Sequence, residues 1–338
     1  MSPREYDESD ARIRPSRTTR RRTKDRPTHS DSVTAFVTTV DRGRTTCVTD
    51  DGVVVTAMKA RELGPKSVVV GDLVEIVGDV SGTDGTLARI VTVNERTNSL
   101  SRTVDDAARV ERTIVANIDQ LLIVVASANP EPRRGLIDRF LVSAFHESIK
   151  PFIVVTKVDI SPVPEFIKEY AALGVDIITT SSKTEARAKD VARILEILDY
   201  KISVLVGHSG VGKSTLINDL VPNADRMTGD VNDVTGRGRH TSSSAIALEL
   251  PAGGWIIDTP GIRAFGLAHL DSNRIIAAFA DIAEVTQGCL SNCSHYEPSC
   301  RLNEWVEPGG VVDQERLTRV TSLRSLLELK DKNPTLSE

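Results

Sequence analysis

Cysteine is scarce in this sequence, and its placement says more than its number. Of four cysteines, three fall between Cys289 and Cys300, so a disulfide framework spread along the chain is excluded and a metal site is the first expectation. Long apolar runs are missing too. The longest, Leu121 to Ala126, is far below the ~20 residues that cross a bilayer. The first residues are Arg-rich instead of apolar, so no membrane contact and no secretory leader is expected, and the chain reads as a cytoplasmic protein. Aromatic residues make up only 4%, few for stacking on bases. No coiled-coil pattern is present, which leaves a monomer as the expectation.

What is present is length and uneven charge. The 338 residues, 40% hydrophobic and 26% charged, exceed one ordinary core and predict two or three domains. Residues 1–30 carry nine basic and five acidic side chains, leaving 33 basic and 42 acidic beyond Ser30, net −9. This tail, with Arg20, Arg21, Arg22, Lys24 and Arg26 among Thr, Ser and Pro, has little to bury and reads as disordered. It is either a solubilising arm or an RNA contact.

From Val33 to Val93 short β-type runs follow one another: Val33–Val40, Thr46–Thr49, Val53–Met58, Asp72–Val77 and Leu87–Val93. Asp51-Gly52, Gly64-Pro65 and Asp84-Gly85 supply turns. Five strands in about sixty residues suit an all-β, OB-like barrel over 33–96, although an SH3-like barrel would read much the same. After a linker at about Asn94 to Arg112, apolar strands alternate with amphipathic helices, the pattern of an α/β domain over 97–268. The strands are Ile118–Ala126, Pro151–Thr156, Val175–Thr179, Ile202–Val206, Ala245–Leu250 and Trp255–Ile257. Helical stripes run through Leu136 to Ala144, Phe166 to Leu173 and Val191 to Leu198. Beyond Leu270 a helix through Ile275, Ile276, Phe279 and Ile282, the cysteine cluster, and a helix from Asp313 to Lys330 make a helical C-terminal domain over 269–338.

The strongest motif is Gly207-His208-Ser209-Gly210-Val211-Gly212-Lys213-Ser214-Thr215, which follows a strand, opens a helix and fits G-x-x-x-x-G-K-[ST]. Its glycines let backbone N–H groups approach phosphates, Lys213 reaches the β- and γ-oxygens, and the Ser214 hydroxyl suits Mg²⁺. His208 reads as a spacer within it. Thr156-Lys157-Val158-Asp159, at a strand end, resembles the base-reading Asn-Lys-x-Asp element of GTPases. There the last carboxylate, here Asp159 and expected to be buried, accepts guanine N1–H and the 2-amino group, which adenine lacks. Thr180-Ser181-Ser182-Lys183, at the next strand end, is similar to the loop that reads guanine O6. Asp258-Thr259-Pro260-Gly261 matches the D-x-x-G switch, with Asp258 toward Mg²⁺ and the Gly261 N–H toward the γ-phosphate. Thr241, in Gly236-Arg237-Gly238-Arg239-His240-Thr241, is placed as the switch threonine on Mg²⁺. The base-reading elements precede the P-loop, so the GTPase domain looks circularly permuted.

Cys289, Cys293, His295 and Cys300 have the makings of a closed tetrahedral zinc site, structural because no position is left open. Cys47 stands apart and reads as a small buried hydrophobe.

Barrel, permuted GTPase order and Cys-Cys-His-Cys knuckle together resemble the ribosome small subunit-dependent GTPase A family. Ala116-Asn117-Ile118-Asp119-Gln120 ahead of the first α/β strand, the Gly-His-Ser-Gly-Val-Gly-Lys-Ser loop and Gly-Arg-Gly-Arg-His-Thr share in the likeness. The resemblance implies a GTP hydrolase stimulated by the small ribosomal subunit, acting in late subunit maturation and assembly-factor release. Its partners would be the subunit and its rRNA, GTP or GDP, and other assembly factors. Two departures stand out: Thr156 replaces Asn, and the knuckle spacing is a residue tighter at two places. Ile262 occupies the position where many GTPases carry a water-orienting Gln, and the resemblance points to His240 as the replacement, with Thr241 and Lys213 as the other catalytic candidates. The alternatives are a nucleotide-gated RNA-binding protein with negligible turnover and a permuted GTPase of large-subunit assembly.

Overall fold

The computed structural model describes residues 31–41, 43–64, 67–103, 111–181, 185–222, 224, 245–259 and 271–331. The basic tail at 1–30, Ser182, Lys183, His240, Thr241, Gly261 and Ile262 lie outside them.

Strands β1 (Val33–Asp41), β2 (Arg44–Thr49), β3 (Val54–Lys59), β4 (Leu73–Gly78) and β5 (Ala88–Val93) pair in the order β1-β2-β3-β5-β4, and a further β1–β4 pairing closes the barrel. Period-2 alternation explains the closure: Ala35, Val37, Cys47, Val55, Ala57, Val74, Ile76, Ala88 and Ile90 point inward into one buried cluster, and the residues between them face out. Cys47 is fully buried, and desolvation pushes its thiol up to about 12, as an inert core residue requires.

The stretch expected as a linker contains a hairpin, β6 (Ser99–Thr103) and β7 (Glu111–Ala116). Its sequence hides it, because Arg102 pairs directly with Arg112 and the chief inward residues are Leu100 and Val115. The hairpin is fastened to the barrel where Ala116 N–H donates to Val70 (3.0 Å) and Asn117 Nδ2 to Gly71 O (2.9 Å). Gly71 is needed there: at φ +91, a Cβ would lie 2.1 Å from Ala116 O.

Next come β8 (Gln120–Ala126), α1 (Arg134–His146), β9 (Lys150–Thr156), α2 (Glu165–Lys168) with a 3₁₀ turn (Glu169–Leu173), β10 (Asp176–Thr179), α3 (Arg187–Leu198), β11 (Ile202–Val206), α4 (Lys213–Leu220), β12 (Ile246–Glu249) and β13 (Trp255–Asp258). The sheet order is β10-β9-β8-β11-β13-β12, parallel except for β12. Burial on both faces explains the near-continuous apolar strands. Leu121, Ile123 and Val125 pack with α1, while Leu122, Val124 and Ala126 pack with α3 and α4. β1 also pairs with β12 at Thr39 and Ile246, and Phe36 stacks on Trp255 at 4.8 Å, so the barrel and the α/β sheet are one continuous surface of strands.

The expected single helix through Ile275 and Ile282 is two, α5 (Ser272–Ala277) and α6 (Ala280–Thr286). Phe279 leaves helical geometry (φ −112°, ψ 87°) to bury its ring edge-on against Phe145 at 4.7 Å. A short helix not foreseen, α7 (Arg301–Val306), precedes α8 (Gln314–Asp331). Val320, Leu323 and Leu327 of α8 join the same core as Phe140 and Leu141 of α1.

Asp72, with no exposure, accepts from Val69 N–H (2.7 Å) and from Arg96 Nε and Nη2 (2.7 and 2.9 Å), tying the barrel to the segment that leaves it. Asp72→Ala strands a backbone donor and a guanidinium, and should destabilise the barrel by about 3 kcal/mol in guanidinium denaturation. A loss below about 1 kcal/mol would show that this pair is structurally idle.

Candidate functional site

In an open parallel sheet ligands collect at the carboxyl ends of strands, where the order reverses. Here the chain runs outward from β8 through β9 to β10, then returns to place β11 on the other side of β8. The P-loop leaves β11 at this reversal. Gly207, at φ +148, lies so close to β8 that a Cβ would sit 2.2 Å from Val124 O. Lys213, the first residue of α4, folds back so that Nζ donates to Gly207 O (2.6 Å) and His208 O (3.2 Å). Ser214 and Thr215 are exposed on the first turn of α4. His208 is exposed and turned onto Ser209 O (2.8 Å), as a spacer would be.

Asp258 ends β13, and its Oδ1 is buried without a hydrogen-bond partner among the described residues. Burial raises its pKa, opposed by Lys213, and burial lowers that of Lys213, opposed by Asp258. Each charge is desolvated and only partly compensated by the other. An orphaned buried carboxylate oxygen beside a lysine-bearing phosphate loop fits a divalent cation carrying phosphate oxygens. Thr259 locks the strand end by donating to Leu205 O (2.7 Å).

The base-side residues meet the P-loop from β9. Thr156, 6% exposed, places Oγ1 2.5 Å from Val211 O, and Lys157 Nζ donates to Gly210 O (2.7 Å) and to Asn129 O. Lys157 takes φ +59 to do so. Val158 packs beside the core, and Asp159 accepts from Ser181 Oγ at 2.5 Å, which joins the two predicted base-reading loops. Asp159, expected to be buried, is exposed instead, because the strand β9 ends at Thr156 and Asp159 lies in the turn beyond it. Ser127 escaped the sequence reading: its Oγ donates to Lys157 O (2.7 Å) and its N–H to Thr156 O (2.9 Å). A small polar residue immediately after the apolar run of β8 was the available signal.

Between α6 and α7 the four knuckle residues converge, their ligand atoms all within 4.8 Å of one another. Cys289 Sγ lies 3.9 Å from both His295 Nδ1 and Cys300 Sγ, and Cys300 Sγ is 3.7 Å from the same nitrogen. Tetrahedral bonds of ~2.3 Å to zinc imply ligand separations of about 3.7 Å, so the set fits that metal. Burial lowers the pKa of His295, favouring the neutral imidazole that a metal takes. Arg324 of α8, for which the sequence offered no signal, holds the knuckle by donating to His295 O (2.7 Å) and Asn303 Oδ1 (2.9 Å).

Comparison with known proteins agrees with this geometry. A family profile described as RsgA GTPase matches residues 93–268. The small ribosomal subunit biogenesis GTPase RsgA of Shewanella oneidensis is 36% identical over 273 residues, 78% of this chain and 75% of that one. Its namesake from Chlorobaculum tepidum is 35% identical over 274 residues, 78% of this chain and 87% of the other. Among solved structures, YjeQ from Thermotoga maritima aligns with TM-score 0.61 and 27% identity, covering 88% of this chain and 99% of its own. YloQ, described as a circularly permuted GTPase, shares the fold at TM-score 0.62 and 23% identity over 91% of this chain and 99% of its own. With just over half its length inside the profile and relatives matched over three quarters of theirs, the chain belongs to the RsgA GTPase family.

Proposed function

We propose that this protein hydrolyses GTP in the biogenesis of the small ribosomal subunit, with the subunit itself as activator and release of assembly factors as the outcome. The observation that carries the reading is the convergence at one sheet edge of Thr156, Lys157, Asp159 and Ser181 with the P-loop and Asp258. The relatives bear the name of small-subunit biogenesis GTPases. The domain division that goes with it is an OB-like barrel over 33–96, a permuted GTPase domain over 97–268 and a zinc-knuckle domain over 269–338.

In this reading Asp159 selects guanine by accepting two N–H donors, aided by the Ser181 to Lys183 loop. The backbone of Gly207 to Gly212 takes up the phosphates, with Ser214 and Thr215 opening the helix behind it. Lys213 exchanges Gly207 O and His208 O for phosphate oxygens, trading two neutral acceptors for charged ones. Ser214, Thr241 and Asp258 would hold Mg²⁺, which supplies neutralisation of charge shared by the β- and γ-phosphates. The Gly261 N–H senses the γ-phosphate, and His240 positions the attacking water. With Ile262 unable to orient that water, intrinsic turnover is slow and waits on the ribosome.

Cys289, Cys293, His295 and Cys300 would hold one Zn²⁺ as a structural bond between α6 and α7. Because α8 braces the knuckle through Arg324 and reaches Asp281 and Ala172 O through Arg319, the metal also secures the C-terminal helices against the GTPase domain.

Metal analysis should find one zinc per chain, and Cys300→Ser should lose it and lower the thermal midpoint. Retention of zinc would remove Cys300 from the ligand set. GTP hydrolysis measured alone, with small subunits and with large subunits at matched salt should rise only with small subunits. Lys213→Ala should abolish nucleotide binding, whereas His240→Ala should spare binding and lower stimulated hydrolysis by about 10²-fold or more. Stimulation by neither subunit would leave a nucleotide-gated binding protein, and stimulation by large subunits would reassign the assembly step.

A further inference from the structure

Helix α3 begins just beyond Thr180 to Lys183, the loop assigned above to guanine O6, yet packing holds its first turns only weakly. Its buried residues are Ile194 and Leu198, which share an apolar cluster with Leu216, Ile217 and Leu220 of α4. Ile194 lies seven residues beyond Arg187, about 10 Å of helix, and no side chain of α3 ahead of it is buried. Nor does a side chain cap the helix, because Ala186 stands at the cap position and has no oxygen to offer. Charge ties this end down instead. Arg187, the first residue of α3, donates through Nε to Asp219 Oδ2 at 3.2 Å and through Nη2 to Asp219 Oδ1. In this two-pronged geometry a guanidinium fixes direction as well as distance. The Asp219 side chain is 10% exposed against 46% for Arg187, so the carboxylate is largely desolvated and the pair differs from an ordinary solvated bridge.

We propose that Arg187 and Asp219 are positioning residues for base selection, holding the exit of the O6-reading loop to the helix that carries Lys213 and Ser214. The proposal rests on the guanine-nucleotide reading given above. The loop's entry is fastened elsewhere: Thr180 N–H donates to Val155 O (2.8 Å), and the buried Ser181 donates its Oγ to Asp159, so that end belongs to β9. Its exit belongs to α4, where Asp219 lies six residues along the helix that opens with Lys213. A segment fastened at both ends is preorganised to present a donor to O6. Released at one end, it must be ordered by the nucleotide, and that entropy opposes binding of any base that engages it. The loss falls on O6 reading and spares the 2-amino group, which Asp159 reads from the β9 end.

Arg187→Gln and Asp219→Asn each delete one charge at similar size. Either should weaken GDP about fivefold, the upper range for a well-aligned, part-buried pair. 6-thio-GDP keeps N1–H and the 2-amino group but carries sulfur, a weak acceptor, in place of O6, so its affinity should change by less than about 1.5-fold. IDP keeps O6 and lacks the 2-amino group. It should weaken in step with GDP, leaving their ratio at the wild-type value. The double variant should lose no more than either single one. Equal weakening of GDP and 6-thio-GDP would make the pair merely structural and overturn the proposal. Wild-type GDP affinity in both single variants, or a loss in one without the other, would overturn it too. In the nucleotide-free protein, hydrogen exchange of a peptide spanning residues 180–190 should be about fivefold faster in each single variant. Unchanged exchange would remove the tether altogether. Faster exchange in a protein that binds GDP and 6-thio-GDP alike, or binds neither, would uphold the tether between α3 and α4 and sink the guanine reading on which its consequence rests.

Discussion

The nucleotide edge depends on how tightly β11 is pressed against β8. Asp119 sets the start of that contact: its N–H donates to Ile202 O and its carboxylate accepts from Ile202 N–H, so the strand enters in a single register. Gly207 sets its end, leaving the sheet with no room for a side chain beside Val124 O. Between these points four residues pair in parallel, from Ser203 opposite Gln120 to Val206 opposite Ile123. A one-residue slip would exchange the two buried faces of β11 and move the phosphate loop with them. The loop is therefore placed by sheet register, and the side chains from β9 only trim its orientation.

Permutation changes what lies next to the switch. The chain visits the base-side loops before the P-loop, and the last strand among the described residues, β13, ends on Asp258. Its antiparallel neighbour β12 is also the strand on which β1 of the barrel docks. Phe36 and Trp255 stack across this junction, and Trp255 lies three residues before Asp258. The barrel is thus attached to the strand pair that carries the magnesium candidate, while the loops proposed to read the base follow β9 and β10, on the other side of β11.

Much of this was legible because the relevant signals are local. Val33 to Val93 alternates with period 2 between turn residues, and five strands appear where that pattern places them. The P-loop announces itself by glycine spacing after a strand. What stayed hidden lacks such a signature. The β6–β7 hairpin contributes few inward residues and pairs arginine with arginine. The break at Phe279 is a tertiary effect, a ring turning inward at the expense of two helical positions. The β1–β12 pairing joins residues about two hundred positions apart and leaves no periodic trace. In Thr156 the sequence shows a departure from Asn, but only the distance to Val211 O shows where its one proton goes.

The C-terminal helices carry the same lesson to the metal. A zinc knuckle alone would fix α6 to α7 and leave both to drift. Helix α8 removes that freedom because two of its arginines face different bodies: Arg319 donates to Ala172 O at the end of the 3₁₀ turn and to Asp281 on α6, while Arg324 donates to the backbone of His295. His295 sits at φ +68, an uncommon backbone state for a residue other than glycine. The Arg324 bond to its carbonyl and the 3.4 Å contact of its N–H with Cys293 Sγ hold it there. The geometry of the Cys-Cys-His-Cys cluster and the attachment of the C-terminal helices to the α/β core are in this way properties of one helix.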